Sequence, residues 1–578
     1  MHGWINLRCS SHQRDTSRGA GLLGTGLLCL FGALSLAPSD ANADVKGKTL
    51  SGKLTYDRVP QTLDNGLNYS ATVPKPIRNV RVALVEDKGK ETNTGKELAS
   101  TISGEDGSYS FAIPDAVTRV RVRAFAQTTS PALLVQDNAN GNALYTLESA
   151  AITTTSTATV KNLNAASGWG GSYYSGVRAA APFACLDTLY TAARAFALVR
   201  PSVKFPLLPI NWSVDNRPES GDETIGQIGT SHYSSGSGGI FILGKEDVDT
   251  DEYDDHVMVH EWGHYFEDKV GRSDSIGGTH GGGDIIDPRV AFGEGWGNAL
   301  SAMILYPDSK YKDSGGLSQA TTTLVLDMEA NGVNDPKPGW FSETSVMTLL
   351  YDIFDPANES FDGVALGLGP IYDVMTGGQK TTSAETTVFS FIKALKSLPG
   401  TSAATIAAID TLTTKSHISP VKDEFGTGET NNGGNAANLP VYRPMTVDGA
   451  SLTLTFLGSV DNINKLGANR YISFSKPVAG SLQVIASSSS DIGLTVLEKG
   501  KEVAHADETS SGTEQLSFDA KANTTYVLVV QGFVTGSSGQ YTASVRITSG
   551  IAAAKLATAD RKISATQRTT PSVPRKPS

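Results

Sequence analysis

The sequence predicts a multidomain chain in which an α+β domain is flanked by two all-β sandwich domains. Two alternating apolar–polar stretches, 80–85 and 117–125, read as half-buried strands near the N-terminus. Short β-type runs return between 449 and 548, and the region between these two blocks carries repeated helical periodicity. A length of 578 residues accommodates about three or four domains.

Residues 1–43 read as a secretory leader. Arg8, Arg14 and Arg18 precede the apolar run 21–37, and Ala41, Asn42 and Ala43 supply small residues for cleavage before Asp44. The run is broken by glycines and no other segment reaches about 18 apolar residues, so no integral membrane segment is expected in the mature chain. Cys29 lacks the preceding small residue of a lipid-anchored leader. Once the leader is removed only Cys185 remains, which excludes an intrachain disulfide. The expected location is extracellular, with the periplasm as the alternative. A net charge of −11 and the lack of any basic stretch argue against a nucleic-acid partner.

Residues 44–150 form the first expected sandwich, in which Gly104-Glu105-Asp106-Gly107-Ser108-Tyr109-Ser110-Phe111 is a turn leading into a strand. The central domain, 151–430, places helices at 181–198, around Glu261, after Glu294, and at 342–354, 384–398 and 402–414. An Asn/Gly-rich stretch marks 431–448 as a linker. Strands at 451–456, 470–474, 482–486, 526–530 and 541–547 make up the second sandwich, 449–548, and 549–578 reads as a disordered tail.

The chemistry sits in the central domain. His260-Glu261-Trp262-Gly263-His264 is an HExxH set. On a helix, residues four apart share a face, so both imidazoles can address one tetrahedral Zn²⁺. Glu261 lies beside that face, where it can take a proton from a water and pass it to a leaving amine. A third ligand is needed. Glu267 and Val270 occupy the places where a metzincin would carry Gly and His, which excludes that class. Asp284 and Asp287 remain possible ligands, and Glu294 in Gly293-Glu294-Gly295-Trp296-Gly297-Asn298 is the preferred one. A His₂Glu set leaves a fourth position open, as catalytic zinc requires.

These two motifs resemble the gluzincin peptidases of the thermolysin and fungalysin type. The resemblance spans residues 225–355 and implies a zincin-like catalytic domain with His260, His264 and Glu294 as zinc ligands and Glu261 as general base. Such families commonly carry Asp four residues after the glutamate ligand. Here Asn298 stands there, whose uncharged amide oxygen can accept the second ring N–H of a ligand histidine. The family also implies that the strand before the metal helix, within 237–244, is the sheet edge on which a substrate backbone pairs. An oxyanion donor is expected from His280, Tyr351 or His417, with Tyr351 preferred. His256 is expected beside the ligands or at the helix start, and Met258, Trp262, Tyr265 and Phe266 in the core.

The acidic run 246–255 admits a structural Ca²⁺ site built on Asp247, Asp249 and Asp251, although acids at a helix start are more simply read as capping and dipole partners. Residues 76–82 with the GEDGSYSF turn resemble transthyretin-like or carboxypeptidase-regulatory-like sandwiches. Tyr526–Gly532 and Gly539-Gln540-Tyr541-Thr542 resemble the pre-peptidase C-terminal domains of bacterial peptidases, with a carbohydrate-binding jelly roll as the alternative for this module. Together these imply a secreted zinc peptidase acting on protein or peptide substrates, as an endopeptidase; a monomer is expected, although nothing in the sequence fixes the oligomeric state. The alternative is a zincin scaffold without activity that serves as a surface-binding protein.

Overall fold

The computed structural model describes residues 47–89, 95–330, 335–356, 360–459, 462–536 and 539–550, with the backbone of 6–7. The expected leader, apart from that dipeptide, and the tail beyond 550 lie outside the described residues. The protein is multidomain and rich in β-sheet, with helices gathered in the middle of the chain.

In the N-terminal region, Lys48–Arg58 pairs antiparallel with Val73–Pro76 and Ser108–Ile113, and parallel with Ala158–Val160 and Leu163–Ala165. Alternation drives this layer: Tyr109, Phe111 and Ile113 turn inward while Ser108, Ser110 and Ala112 face water. A second, mixed sheet packs on it through Val82, Leu84, Val120 and Val122, in one continuous core with Leu50, Leu54 and Phe111.

That second sheet does not stop at the expected boundary of 150. Ala132–Asp137 pairs in parallel with Leu208–Trp212, which pairs in parallel with Gly239–Ile242, and His232–Ser234 closes the edge in antiparallel fashion. The apolar strand Leu208–Trp212 is buried almost throughout and needs neighbours on both sides, which a parallel pair provides. The first β-region and the helical region therefore share a sheet.

Helix α1 (Ala181–Val199) lies on this sheet and against α2 (Asp255–Lys269). Next to α2 runs α3 (Pro288–Leu305), which packs on its other side against α4 (Glu343–Phe354). Residues 288–303 are all buried, making α3 the central helix. The glycines in its motif let the helices approach. A Cβ on Gly263 of α2 would stand 3.1 Å from Gly297 Cα, and one on Gly295 would stand 2.7 Å from Val346 of α4. Trp262, Tyr265, Phe266 and Met258 are fully buried, Trp262 and Phe266 stacking with Phe196 of α1.

Residues expected as a linker are packed instead. Asn431 donates to the carbonyls of Pro338 and His417, and Tyr442–Pro444 joins the C-terminal sandwich as a strand beside Tyr471–Ser473. Asparagine side chains satisfy backbone groups here, so a composition typical of loops gives an ordered crossing. The C-terminal sandwich stacks a sheet of 442–444, 469–476, 524–532, 492–498 and 501–506 on one of 452–457, 540–549, 480–488 and 512–520. Its core of Phe456, Ile472, Val484, Leu494, Leu528 and Val545 is separate from the central one. No helix among the described residues is long and apolar enough to cross a membrane.

Candidate metal centre

Three elements converge at the centre of the helical region. From α2, His260 and His264 bring their Nε2 atoms to 3.0 Å of each other. From α3, Glu294 Oε2 lies 3.3 Å from His260 Nε2 and 3.4 Å from His264 Nε2. Ligand atoms on a tetrahedral zinc stand roughly 3.3–3.4 Å apart, because each metal–ligand bond is about 2.0–2.1 Å. This donor set fits such an ion and leaves one vertex open.

The local sequence accounts for the fit. Gly297 lies directly beneath His260, and a Cβ there would sit 2.8 Å from His260 Nδ1. One residue on, Asn298 Oδ1 accepts from His260 Nδ1–H at 2.8 Å, which fixes the tautomer that keeps a lone pair on Nε2. His264 Nδ1 faces Glu267 Oε2 at 3.8 Å. Burial opposes ionisation of Glu294, but His280 and His264 outweigh it and hold its carboxyl well below the usual range. Burial likewise opposes protonation of His264, while Glu294 and Glu267 push its pKa well up.

Glu261 is buried beside this set, and its Oε2 accepts the backbone N–H of Tyr233 at 2.8 Å. Tyr233 belongs to the edge strand His232–Ser234, so the strand that borders the site is 232–234. The sequence expectation placed the edge within 237–244. That strand, Gly239–Ile242, is paired on both sides, because its fully buried residues require an interior place.

His280 completes the centre from the glycine-rich loop. Its Nε2 lies 3.3 Å from Glu294 Oε2, and its Nδ1 is 2.6 Å from Oε2 of Glu343 in the first turn of α4. Burial lowers its proton affinity, but Glu294 and Glu343 raise the pKa to about 9. Tyr351 is not brought to this set. It lies two turns along α4, buried against Phe354, with Glu329, Asp355 and Asp308 as its charged neighbours. His417 lines a surface cavity with Pro336, Phe341 and Thr430. Asp284 pairs with Lys465, and Asp287 caps α3 while pairing with Arg289, so neither faces the ion position. His256 bonds Ser301 of α3 at 3.0 Å, joining the two helices. Glu343 and Tyr311, whose ring lies 6.2 Å from that of His260, carried no motif in the sequence.

A second acidic set stands at the entry to α2. Asp249, Asp251 and Asp313 place carboxylate oxygens within 4.8 Å of one another. Asp313 comes from strand Lys310–Gly315, which lies beside Asp249–Thr250 in a small sheet. Asp247 turns away and accepts from the backbone of Ser318. Burial, with Asp249, Asp313 and Asp254 nearby, pushes the Asp251 carboxyl up. One of its oxygens accepts from Ser231, and the other, Oδ1, is buried with no hydrogen-bond partner. Asp254, at the N-cap position, does not cap α2 but accepts from the backbone and hydroxyl of Ser314.

No family model matches the sequence, and no curated protein matches it. Parts of the chain are similar to solved structures, among them the following three. The pre-peptidase C-terminal domain of a collagenase from Bacillus anthracis is 10% identical, with 18% of this chain and 93% of that chain covered and a TM-score of 0.15. A periplasmic inhibitor of g-type lysozyme from Aeromonas hydrophila is 16% identical over 18% of this chain and 98% of its own, with a TM-score of 0.13. A 9R-lipoxygenase from Cyanothece is 9% identical over 30% of this chain and 27% of that one, with a TM-score of 0.14. At these scores none of the three bears on the metal centre.

Proposed function

We propose that this chain is a secreted zinc-dependent peptidase that cleaves peptide bonds internally. The observation that carries the reading is the mutual spacing of His260 Nε2, His264 Nε2 and Glu294 Oε2, at 3.0, 3.3 and 3.4 Å, around one open vertex. A zinc ion held there would supply Lewis acidity to polarise a scissile carbonyl. Asn298 orients His260, and Glu294 contributes the charge that a dication needs. Glu261, steadied by the Tyr233 N–H, accepts the proton of the attacking water and delivers it to the leaving amine. The edge strand 232–234 offers a substrate backbone a place to pair beside Glu261. Full-length mature protein is expected to carry one zinc per chain by elemental analysis and to hydrolyse casein. Chelation should abolish hydrolysis and added zinc restore it. Zinc without hydrolysis would favour the inactive-scaffold reading, and no zinc would sink both.

We further propose that Asp249, Asp251 and Asp313 hold a hard dication such as Ca²⁺. The buried, unpartnered Oδ1 of Asp251 within an acidic set supports this, since a buried carboxylate needs a partner. Occupancy would tie the start of α2 to strand Lys310–Gly315. Titration with Tb³⁺ should give sensitised emission in the wild type that Ca²⁺ displaces, and Asp313→Asn should lower Ca²⁺ affinity at least ten-fold. Equal Ca²⁺ affinity in the two proteins would refute the site.

A further inference from the structure

We infer that the C-terminal sandwich is part of the scaffold of the metal centre, with Asn464 as a positioning residue that acts through the 277–287 loop on His280. The last step, from His280 to a bound metal, rests on the zinc reading above; the clamp on the loop does not.

The loop Gly277-Gly278-Thr279-His280-Gly281-Gly282-Gly283 has little stiffness of its own, and Gly277, Gly278 and Gly283 adopt positive φ. A histidine in such a stretch is held only where something outside the loop holds it. On one side His280 meets Glu294 and Glu343. On the other, the C-terminal sandwich grips the residue before it. Asn464 Nδ2 donates to the carbonyls of Gly277 and Thr279, at 3.1 and 3.0 Å. Lys465 Nζ donates to the same Thr279 carbonyl at 3.1 Å and pairs with Asp284 at 2.8 Å. Asn462 Nδ2 reaches the Thr279 hydroxyl at 3.2 Å.

The backbones also join. Leu466 N donates to Ile285 O, and Asp287 N donates to Asn464 O. Asn469 and Tyr471 then donate to the carboxylate of Asp287, the residue that caps the helix carrying Glu294. The fit at Gly278 is close: a Cβ there would stand 2.8 Å from Asn464 Nδ2. Asn464 is 1% exposed, so these bonds are shielded from competing water. The sandwich thus fixes both ends of the segment that delivers His280 and Glu294, and does not act as a tethered appendage.

Two measurements on the full-length protein test this. In hydrogen exchange read by mass spectrometry, Asn464→Ala should speed exchange of peptides covering 275–286 at least ten-fold. Peptides from α2 and from 524–532 should keep wild-type rates. Unchanged exchange in the loop would overturn the clamp, whether or not the protein binds zinc. In zinc competition, Asn464→Ala and His280→Ala should each weaken binding about ten-fold, as loss of a residue supporting a ligand does. The double variant should bind no more weakly than His280→Ala alone. Wild-type affinity in Asn464→Ala, or effects that multiply, would show that Asn464 does not act through His280. A wild type without zinc would refute the metal reading and leave the exchange result to decide the clamp. Should Asn464→Ala unfold, Lys465→Met removes the two bonds that Lys465 makes to the same loop, from a side chain less buried than Asn464, and carries the same comparison.

Discussion

Glu261→Gln is expected to keep zinc at one per chain and to lower casein hydrolysis by about 10²–10⁴-fold, the usual contribution of a positioned general base. The substitution is nearly isosteric, and the amide oxygen can still accept the Tyr233 N–H now donated to Glu261. Glu261 is absent from the ligand set of His260, His264 and Glu294, so metal content should not change. What disappears is a group able to take up the proton of the attacking water. The fall should appear in kcat with KM little altered, because the residue acts on the reacting atoms and not on the remote substrate. Loss of zinc in this variant would place Glu261 among the ligands instead. Hydrolysis at the wild-type rate would assign the base elsewhere.

The parts of the centre legible in the sequence were those encoded by helical spacing. His260 and His264 are four apart on α2, and Glu294 and Asn298 are four apart on α3, so each pair shares a face whatever the tertiary context. The glycines of the GEGWGN motif have a physical reason that emerges only with the packing: Gly297 makes room for the His260 ring and Gly295 for α4. Groups delivered from outside these helices were not legible in this way. Glu343 arrives on the first turn of α4, and His280 reaches the site on a loop whose shape is imposed by the C-terminal sandwich. Tyr351 was preferred from its order in the chain, and order does not say which face of α4 turns to the metal. The acidic run behaved similarly. Of the expected Asp247, Asp249 and Asp251, the last two stand together while Asp247 turns to Ser318, and the third carboxylate comes from Asp313, a neighbour that only the small sheet specifies. The β-regions were read from alternation, whereas the continuity of the sheet from 80 to 242 depends on long-range parallel pairing that carries no local signal.

The largest expected effect on stability lies at Arg178. This residue precedes α1 and donates to Glu252, just ahead of α2, and to the carbonyl of Gly244, with its guanidinium 4.3 Å from the Tyr174 ring centroid and 5.2 Å from that of Trp212. The side chains of the pair are 5% and 0% exposed. Burial opposes the charge on Arg178, and Glu252 overcomes it and holds the guanidinium protonated. Replacing Arg178 by Met retains volume over the rings but strands the carboxylate of Glu252 in a low-dielectric interior. Breaking a buried pair in this way costs about 3–5 kcal/mol. Removing both charges, as in Arg178→Met with Glu252→Met, should recover much of that loss, because two apolar side chains need no desolvation. Urea unfolding of the two variants beside the wild type measures the difference. A cost below about 1 kcal/mol for Arg178→Met would mean that water reaches Glu252 and that the pair behaves like a surface one. A double variant as unstable as the single would locate the loss in the Gly244 carbonyl and the ring contacts. In either case the anchor that sets the entry of α2, and with it the direction in which His260 and His264 point, would have to be sought in Asp254 and its bonds to Ser314.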